Sequence, residues 1–205
     1  GRDWFYHFQD KRAYGRIVHL QPMRWENDWP VMDNMNPTTG VGEPVLEWEK
    51  PINNKQFTNL VNPPSSDDFT SQTLGLQWQW NANWNNDWYS LTANKKHLRL
   101  YPQSLSESKS LIDYPAILLQ KLPAPEFEAS VKLELDSTIE GERAGLVLYG
   151  LNYAWIGLQR HQASYLLQYV TCNSINLNLR CQEKIVQSKS ISQSDIYLKI
   201  ELSAE

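Results

Sequence analysis

Residues 126–135, "EFEASVKLEL", alternate without a break: Phe127, Ala129, Val131, Leu133 and Leu135 on one side, Glu126, Glu128, Ser130, Lys132 and Glu134 on the other. A period of two sustained over ten residues describes a strand with one face buried and one in water. The glutamates therefore read as solvated. Pro123 and Pro125 lie just upstream, where a missing amide donor is tolerated, and "EGER" at 140–143 is turn material.

Working outward, weaker strand patterns recur at 75–80, 97–101, 144–149, 153–159, 165–170, 184–186 and 196–202, and nothing follows a helical period. That spacing predicts an antiparallel β-sandwich over 69–205. Upstream, 3–8 is aromatic-rich, 11–15 is turn-like and 16–23 is β-branched and apolar, which predicts a hairpin within 1–32. Between them, 33–68 contains "DNMNPTTGVGEP" and "NPPSSDD", compositions that disfavour regular elements. We read a linker that hugs a surface through Val45, Leu46 and Trp48.

Composition narrows the functional classes. A chain of 205 residues with 41% hydrophobic and 20% charged residues can bury a core, and no apolar run approaches the roughly 18 residues of a spanning helix. A net charge of −4 with scattered Lys and Arg argues against nucleic acid as a partner. Cys172 and Cys181 alone cannot hold zinc; at the ends of "TCNSINLNLRC" they could bridge a hairpin loop or remain free thiols. The start at Gly1, with no methionine or apolar leader, suggests a piece whose export signal lies elsewhere.

Two stretches resemble glycoside hydrolase family 43, of the β-xylosidase and α-L-arabinofuranosidase type. "WFYHFQDKRAYGRIVHLQPMRWENDWPVM" at 4–32 is similar to the end of the family's five-bladed catalytic propeller. "LGLQWQWNANWNNDWYSL", "LRLYP", "LLQKLPAPEFEASVKLEL", "GERAGLVLYG" and "YAWIGLQ" are similar to the concanavalin A-like jelly roll that follows it. The resemblance implies an all-β chain: a last-blade segment at 1–32, a linker at 33–68, and a sandwich at 69–205 that stops short of its final strands. Asp33 departs from the pattern, standing where a glycine is expected.

The resemblance also implies a parent enzyme that hydrolyses xylan- or arabinan-type polysaccharides with inversion. An acid would protonate the leaving oxygen while a second carboxylate activates water about 6.5–9.5 Å away, and a third would tune the acid. Those carboxylates belong to earlier blades, so the partners of this chain are an oligo- or polysaccharide and the missing propeller. His7 matches the histidine that points along the propeller axis and helps hold a central water or metal ion. A calcium ion in the parent is the one cofactor implied. Arg16 matches an arginine that reaches the substrate cleft, where a fixed cation can hold a hydroxyl and bias a carboxylate. Secretion or a periplasmic location follows from a polymeric plant substrate.

Nine tryptophans leave two uses open, core filler and sugar platform. Trp78 and Trp80 are two apart on a strand, share a face, and most simply pack a core. Trp84 and Trp88 sit in an Asn-rich loop and are the better substrate-binding candidates. Asp67 with Asp68, and Asp33 with Asn34 and Asn36, carry oxygens that calcium could use, yet without a regular Asp-x-Asn-x-Asn-Gly loop they read as solvated turns. His19, His97 and His161 lack partners at ligand spacing and read as structural or exposed. Three functions compete: a sandwich that shapes an enzyme's active site, a non-catalytic carbohydrate-binding module, and a purely structural β-domain. A binding module exposes its aromatic rings to solvent; a wall module turns them towards the propeller segment.

Overall fold

The computed structural model describes residues 3–11, 14–32, 34–50, 61–104, 110–173 and 181–203. The chain divides into two compact units, Gly1–Asn62 and Pro63–Glu205.

The first unit is built on an antiparallel sheet of β1 (Asp3–Asp10), β2 (Arg16–Glu26) and β3 (Trp29–Met32), in that order. The expected hairpin is thus extended by a third strand. Pro30 masks β3 in the sequence, but it lies on an edge strand, where its missing donor costs no ladder bond. Asn27 and Asp28 both take positive φ, 48° and 64°, the pattern of a two-residue I′ turn that matches strand twist. After it come the short pair β4 (Asn34–Met35) and β5 (Gly42–Glu43). The anchoring expected of Val45, Leu46 and Trp48 is corrected. The Gln21 amide, nearly buried, accepts from the Val45 N–H at 2.7 Å and donates to the Val45 carbonyl at 3.2 Å, whereas Leu46 is fully exposed and Trp48 is exposed. The Gln21 side-chain amide, pairing with the Val45 backbone, and not burial of Leu46 or Trp48, holds this segment.

The second unit is an antiparallel sandwich. One layer pairs β10 (Phe127–Glu134) with β15 (Asp195–Leu202); the other runs β11 (Arg143–Leu148), β12 (Tyr153–His161), β13 (Ser164–Cys172) and β14 (Glu183–Ile191) in sequence order. Between the layers Leu135, Leu158 and Tyr165 are buried against Leu133, Leu167 and Ile196. The alternating stretch that opened the sequence behaves as read, its apolar side chains half-buried and its polar ones exposed along β10. Where β11 and β12 run closest, Gly145 faces Gly157, and a Cβ on either would collide with the neighbouring backbone.

The opposite face of the four-stranded layer carries a second core of Tyr153, Trp155, Val170, Cys172 and Cys181, with Leu111 and Ile112 packed on it. Cys172 and Cys181 form a disulfide, closing the alternative of free thiols. The "NSINLNL" stretch between them, at 173–179, lies largely outside the described residues, as do Asp33 and 51–60. Expected strands at 75–80 and 97–101 shrink to β6 (Gln79–Trp80) and β8 (Arg99–Leu100), paired with β9 (Leu118–Leu119) and β7 (Tyr89–Ser90) respectively. The expected strand at 184–186 instead spans all of β14. Among the described residues, helix is limited to 3₁₀ turns: Tyr14 in the first unit, and Asn86–Trp88 and Leu111–Asp113 in the second.

Candidate carbohydrate-binding site

The Asn-rich loop between β6 and β7 is pinned at both ends. Asn81 donates its amide to the carbonyls of Tyr114 (2.9 Å) and Ile112 (3.4 Å), accepts from the Tyr149 hydroxyl (3.1 Å), and its backbone N–H reaches the Ile117 carbonyl (3.0 Å). Burial raises the Tyr149 hydroxyl pKa above its ordinary value, the Asn81 bond opposing it, so the phenol stays a neutral donor. At the other end Asn85 caps the 3₁₀ turn by accepting from the Asp87 N–H at 3.1 Å, and the Trp88 carbonyl accepts from Tyr101 N–H at 2.8 Å. Caps of this kind satisfy backbone groups that would otherwise need water.

Between these anchors Trp84 stands out, 55% exposed. Its ring lies 6.3 Å from the Tyr89 ring at a tilt of 57°. Trp88 is half-buried and meets Trp80 edge-on, 5.5 Å away at 71°, and Trp80 lies 5.7 Å from Tyr89. Trp84 and Trp88 are thus brought to one aromatic cluster, but as different parts: one ring projects and the other props. Sequence reasoning missed Tyr89, the ring on which Trp84 rests. Its position as first residue of β7, just after an Asn-rich turn, was the available signal.

The core assignment of Trp78 and Trp80 is corrected. Both are half-buried and belong to neither buried cluster. Trp78 donates its indole N–H to Asp67 Oδ2 at 2.8 Å and stacks on Phe69 at 5.8 Å. Too few residues flank the two-residue ladder of β6 to cover such large rings, and the deep core is filled from β12 and β13 instead. Asp67 also accepts from Phe69 N–H, and Asp68 from Thr70, whose hydroxyl holds the Asp68 carboxyl below its ordinary pKa. Asn36 caps Thr38 and Thr39 and donates to Glu43. These are turn residues at work, and among the described residues no group of three or more His, Cys, Asp or Glu gathers as a metal site.

In the first unit, His7 on β1 faces His19 on β2 directly across the ladder, their rings stacked at 5.2 Å, and Phe5, two residues earlier on β1, also stacks with His7 at 5.3 Å. His7 Nε2 is buried without a hydrogen-bond partner. Arg16 lies opposite Asp10 with its guanidinium 5.2 Å from the centre of the Phe8 ring. By the period of two, Arg16 and His7 occupy opposite faces of the sheet. The structure therefore does not bring these two candidates together.

The antiparallel layers of the second unit form a β-sandwich of the concanavalin A-like kind. The chain belongs to glycoside hydrolase family 43: the family model described as the beta xylosidase C-terminal Concanavalin A-like domain matches residues 66–205. It is 36% identical over 159 residues to a Xylanibacter ruminicola protein that bears a beta-xylosidase name, covering 77% of this chain and 29% of that one. It is 38% identical over 102 residues to a beta-xylosidase of Formosa agariphila, covering 47% of this chain and 17% of the other. The fold matches that of a bifunctional GH43-CE protein of Bacteroides eggerthii at 28% identity and TM-score 0.68, over 97% of this chain and 24% of that one. The chain thus spans less than a third of the length of each of these relatives.

Proposed function

We propose that this chain is the C-terminal part of an inverting glycoside hydrolase acting on xylan- or arabinan-type polysaccharides, its sandwich supporting a catalytic propeller of which β1–β3 is the last blade. One observation carries the reading. Tyr6, Phe8, Val18, Leu20 and Trp29 share one face of the β1–β3 sheet and are exposed, while Phe5, Ile17 and Trp25 are exposed on the other. A sheet apolar on both faces is built to lie between layers, as a propeller blade does, and not at a surface.

Hydrolysis with inversion needs an acid and a base on opposite sides of one sugar, about 6.5–9.5 Å apart. The carboxylates in and just before β10 do not suit this work: Glu128 is ion-paired with Lys199 at 2.8 Å on an exposed face, and Glu126, which precedes the strand, lines an open dent beside Glu201. We place the acid and base on the earlier blades. His7 fits an axial role, because its buried Nε2 is free to hold a water or the hydration shell of an ion. Calcium itself prefers 6–8 oxygen ligands, so the His7 nitrogen would face such an ion through a water and not as a direct ligand. Arg16 supplies a fixed cation for a sugar hydroxyl on the opposite face. The disulfide, which survives in oxidising compartments, supports a secreted or periplasmic setting.

The test joins this segment to the enzyme's upstream propeller and assays aryl xylosides and arabinofuranosides. The longer enzyme should turn over with inversion and the 205-residue chain should not. In the longer enzyme His7→Ala and Arg16→Ala should lower kcat/KM without lowering Tm. Turnover by the 205-residue chain that survives repurification would overturn the reading.

A second reading, a carbohydrate-binding module, is favoured by the exposure of Trp84 alone. It is compatible with the first, since one chain can serve both ends.

A further inference from the structure

We propose that the Cys172–Cys181 disulfide is a redox-sensitive latch for the loop that presents Trp84. Closed, it holds a relay of hydrogen bonds that pins the root of that loop; opening it frees the loop without opening the sandwich. The inference does not depend on what the loop binds. It starts from one row across the four-stranded layer, in which Tyr153 lies opposite Cys172 and Cys172 lies opposite Glu183. The disulfide closes at Cys181, two residues before Glu183, so it fixes the stretch of chain that carries this carboxylate.

That row sets the position of residues 110–114. Glu183 accepts from the Tyr153 hydroxyl at 2.9 Å, and the hydroxyl oxygen accepts in turn from the Leu111 N–H at 3.1 Å. A hydroxyl that donates to a fixed carboxylate has its lone pairs fixed too, so displacing Glu183 misaims the acceptor of Leu111. Packing runs the same way, because Leu111 and Ile112 lie on the cluster that contains both cysteines.

Leu111 hands the constraint to Asn81. The Tyr149 hydroxyl lies 3.4 Å from the Leu111 carbonyl and donates to Asn81 Oδ1 at 3.1 Å. The Asn81 amide donates to the carbonyls of Tyr114 at 2.9 Å and Ile112 at 3.4 Å. Asn81 precedes Trp84 by three residues. Contiguous hydrogen bonds and packed side chains of this kind carry coupling between distant groups. The β10–β15 layer stands outside the relay, since Leu133 and Ile196 pack on the cluster at the opposite face.

A dithiol opens the latch by thiol–disulfide exchange. The S–S bond breaks, the two cysteines take up two electrons and two protons as thiols, and the reagent closes into a disulfide of its own.

The experiment follows amide hydrogen exchange and indole N–H resonances in the 205-residue chain when oxidised, when reduced with dithiothreitol, and as Cys172→Ser with Cys181→Ser. The slowest amides of β10 and β15 report opening of the whole sandwich, and the Leu111 and Asn81 N–H groups report the relay. Opening the disulfide should raise the ratio of relay to sandwich exchange rates at least about tenfold and shift the Trp84 indole resonance. Tyr153→Phe, which keeps the disulfide, should raise the same ratio; added to the cysteine double variant it should change the ratio by less than about twofold, because both act through one route. Rates that rise together in relay and sandwich, an unmoved Trp84 resonance, or effects of the two changes that multiply would each overturn the proposal. Should the cysteine variant not fold, Tyr153→Phe decides alone, and an unchanged ratio in that protein overturns the proposal.

Discussion

Arg143 at the start of β11 and Glu183 at the start of β14 meet at 2.5 Å, although β12 and β13 lie between their strands. The twist of the four-stranded layer brings these diagonal corners together over one face. The Arg143 guanidinium passes 5.1 Å from the centre of the Trp155 ring on its way, and Glu183 also accepts from the Tyr153 hydroxyl at 2.9 Å. One carboxylate thus ties both edges of the layer to the core beneath.

Breaking that tie should be costly. Removing one partner of a buried pair costs about 3–5 kcal/mol, and with side chains 24% and 16% exposed we expect about 2–3 kcal/mol for Arg143→Ala or Glu183→Gln. Arg143→Met combined with Glu183→Leu should cost less than either alone, since no stranded charge remains. Urea unfolding of the four proteins measures this, and a double variant weaker than both singles would refute it.

Core depth should rank the large-to-small changes. Leu158 is fully buried between the layers, so Leu158→Ala should cost about 3–4 kcal/mol, whereas Trp78→Ala and Trp80→Ala should cost about 1–2 kcal/mol because both rings are only half-buried. Thermal melts give the order, and a Trp80→Ala variant less stable than Leu158→Ala would reverse it.

How much of this was legible depended on where apolar residues could go. In β10 strict alternation met a layer with one wet face, so period and burial agreed. In β12 both faces are covered, Tyr153 and Trp155 on one and Leu158 on the other, so alternation says nothing about which residues form the core. Trp78 and Trp80 misled because the strand expected to put both on one face is only Gln79–Trp80, with Trp78 in the turn before it, its N–H bonded to the Gly75 carbonyl at 3.1 Å. At the candidate site, turn composition marked the loop that presents Trp84. The separation of Trp84 from Trp88 depends on the angle at which Trp88 meets Trp80, which no spacing records.

Disulfide loss should weaken the same edge that Glu183 secures. Cys172 lies opposite Glu183 in the β13–β14 ladder and Cys181 precedes β14, with nine residues of separation between the cysteines. For so short a loop the chain-entropy account gives about 2–3 kcal/mol. Cys172→Ser with Cys181→Ser should melt lower by that amount, and reductant should lower the wild-type melt but leave the variant unmoved. Equal melts with and without reductant, in a wild type shown to be reduced, would contradict this.

Alkaline pH should act through Tyr153. Its hydroxyl accepts from Leu111 N–H at 3.1 Å and donates to Glu183, and burial, with the nearby carboxylate adding to it, raises its pKa above the ordinary tyrosine value. The folded protein therefore holds this proton more tightly than the unfolded chain does. The associated stability is present in full below the unfolded value of about 10 and is lost as pH rises through the higher folded value. Tyr153→Phe removes the titrating group together with two hydrogen bonds, so it should cost about 1–3 kcal/mol at neutral pH, where Glu183 and the Leu111 amide lose a partner. Above pH about 10 the gap between wild type and variant should narrow, because only the wild type must then ionise a buried phenol or unfold. Denaturant midpoints between neutral pH and pH about 11 read this directly. A gap that stays constant across the range would show that Tyr153 does not carry the alkaline limb, leaving Tyr149, raised by the same burial, to account for it.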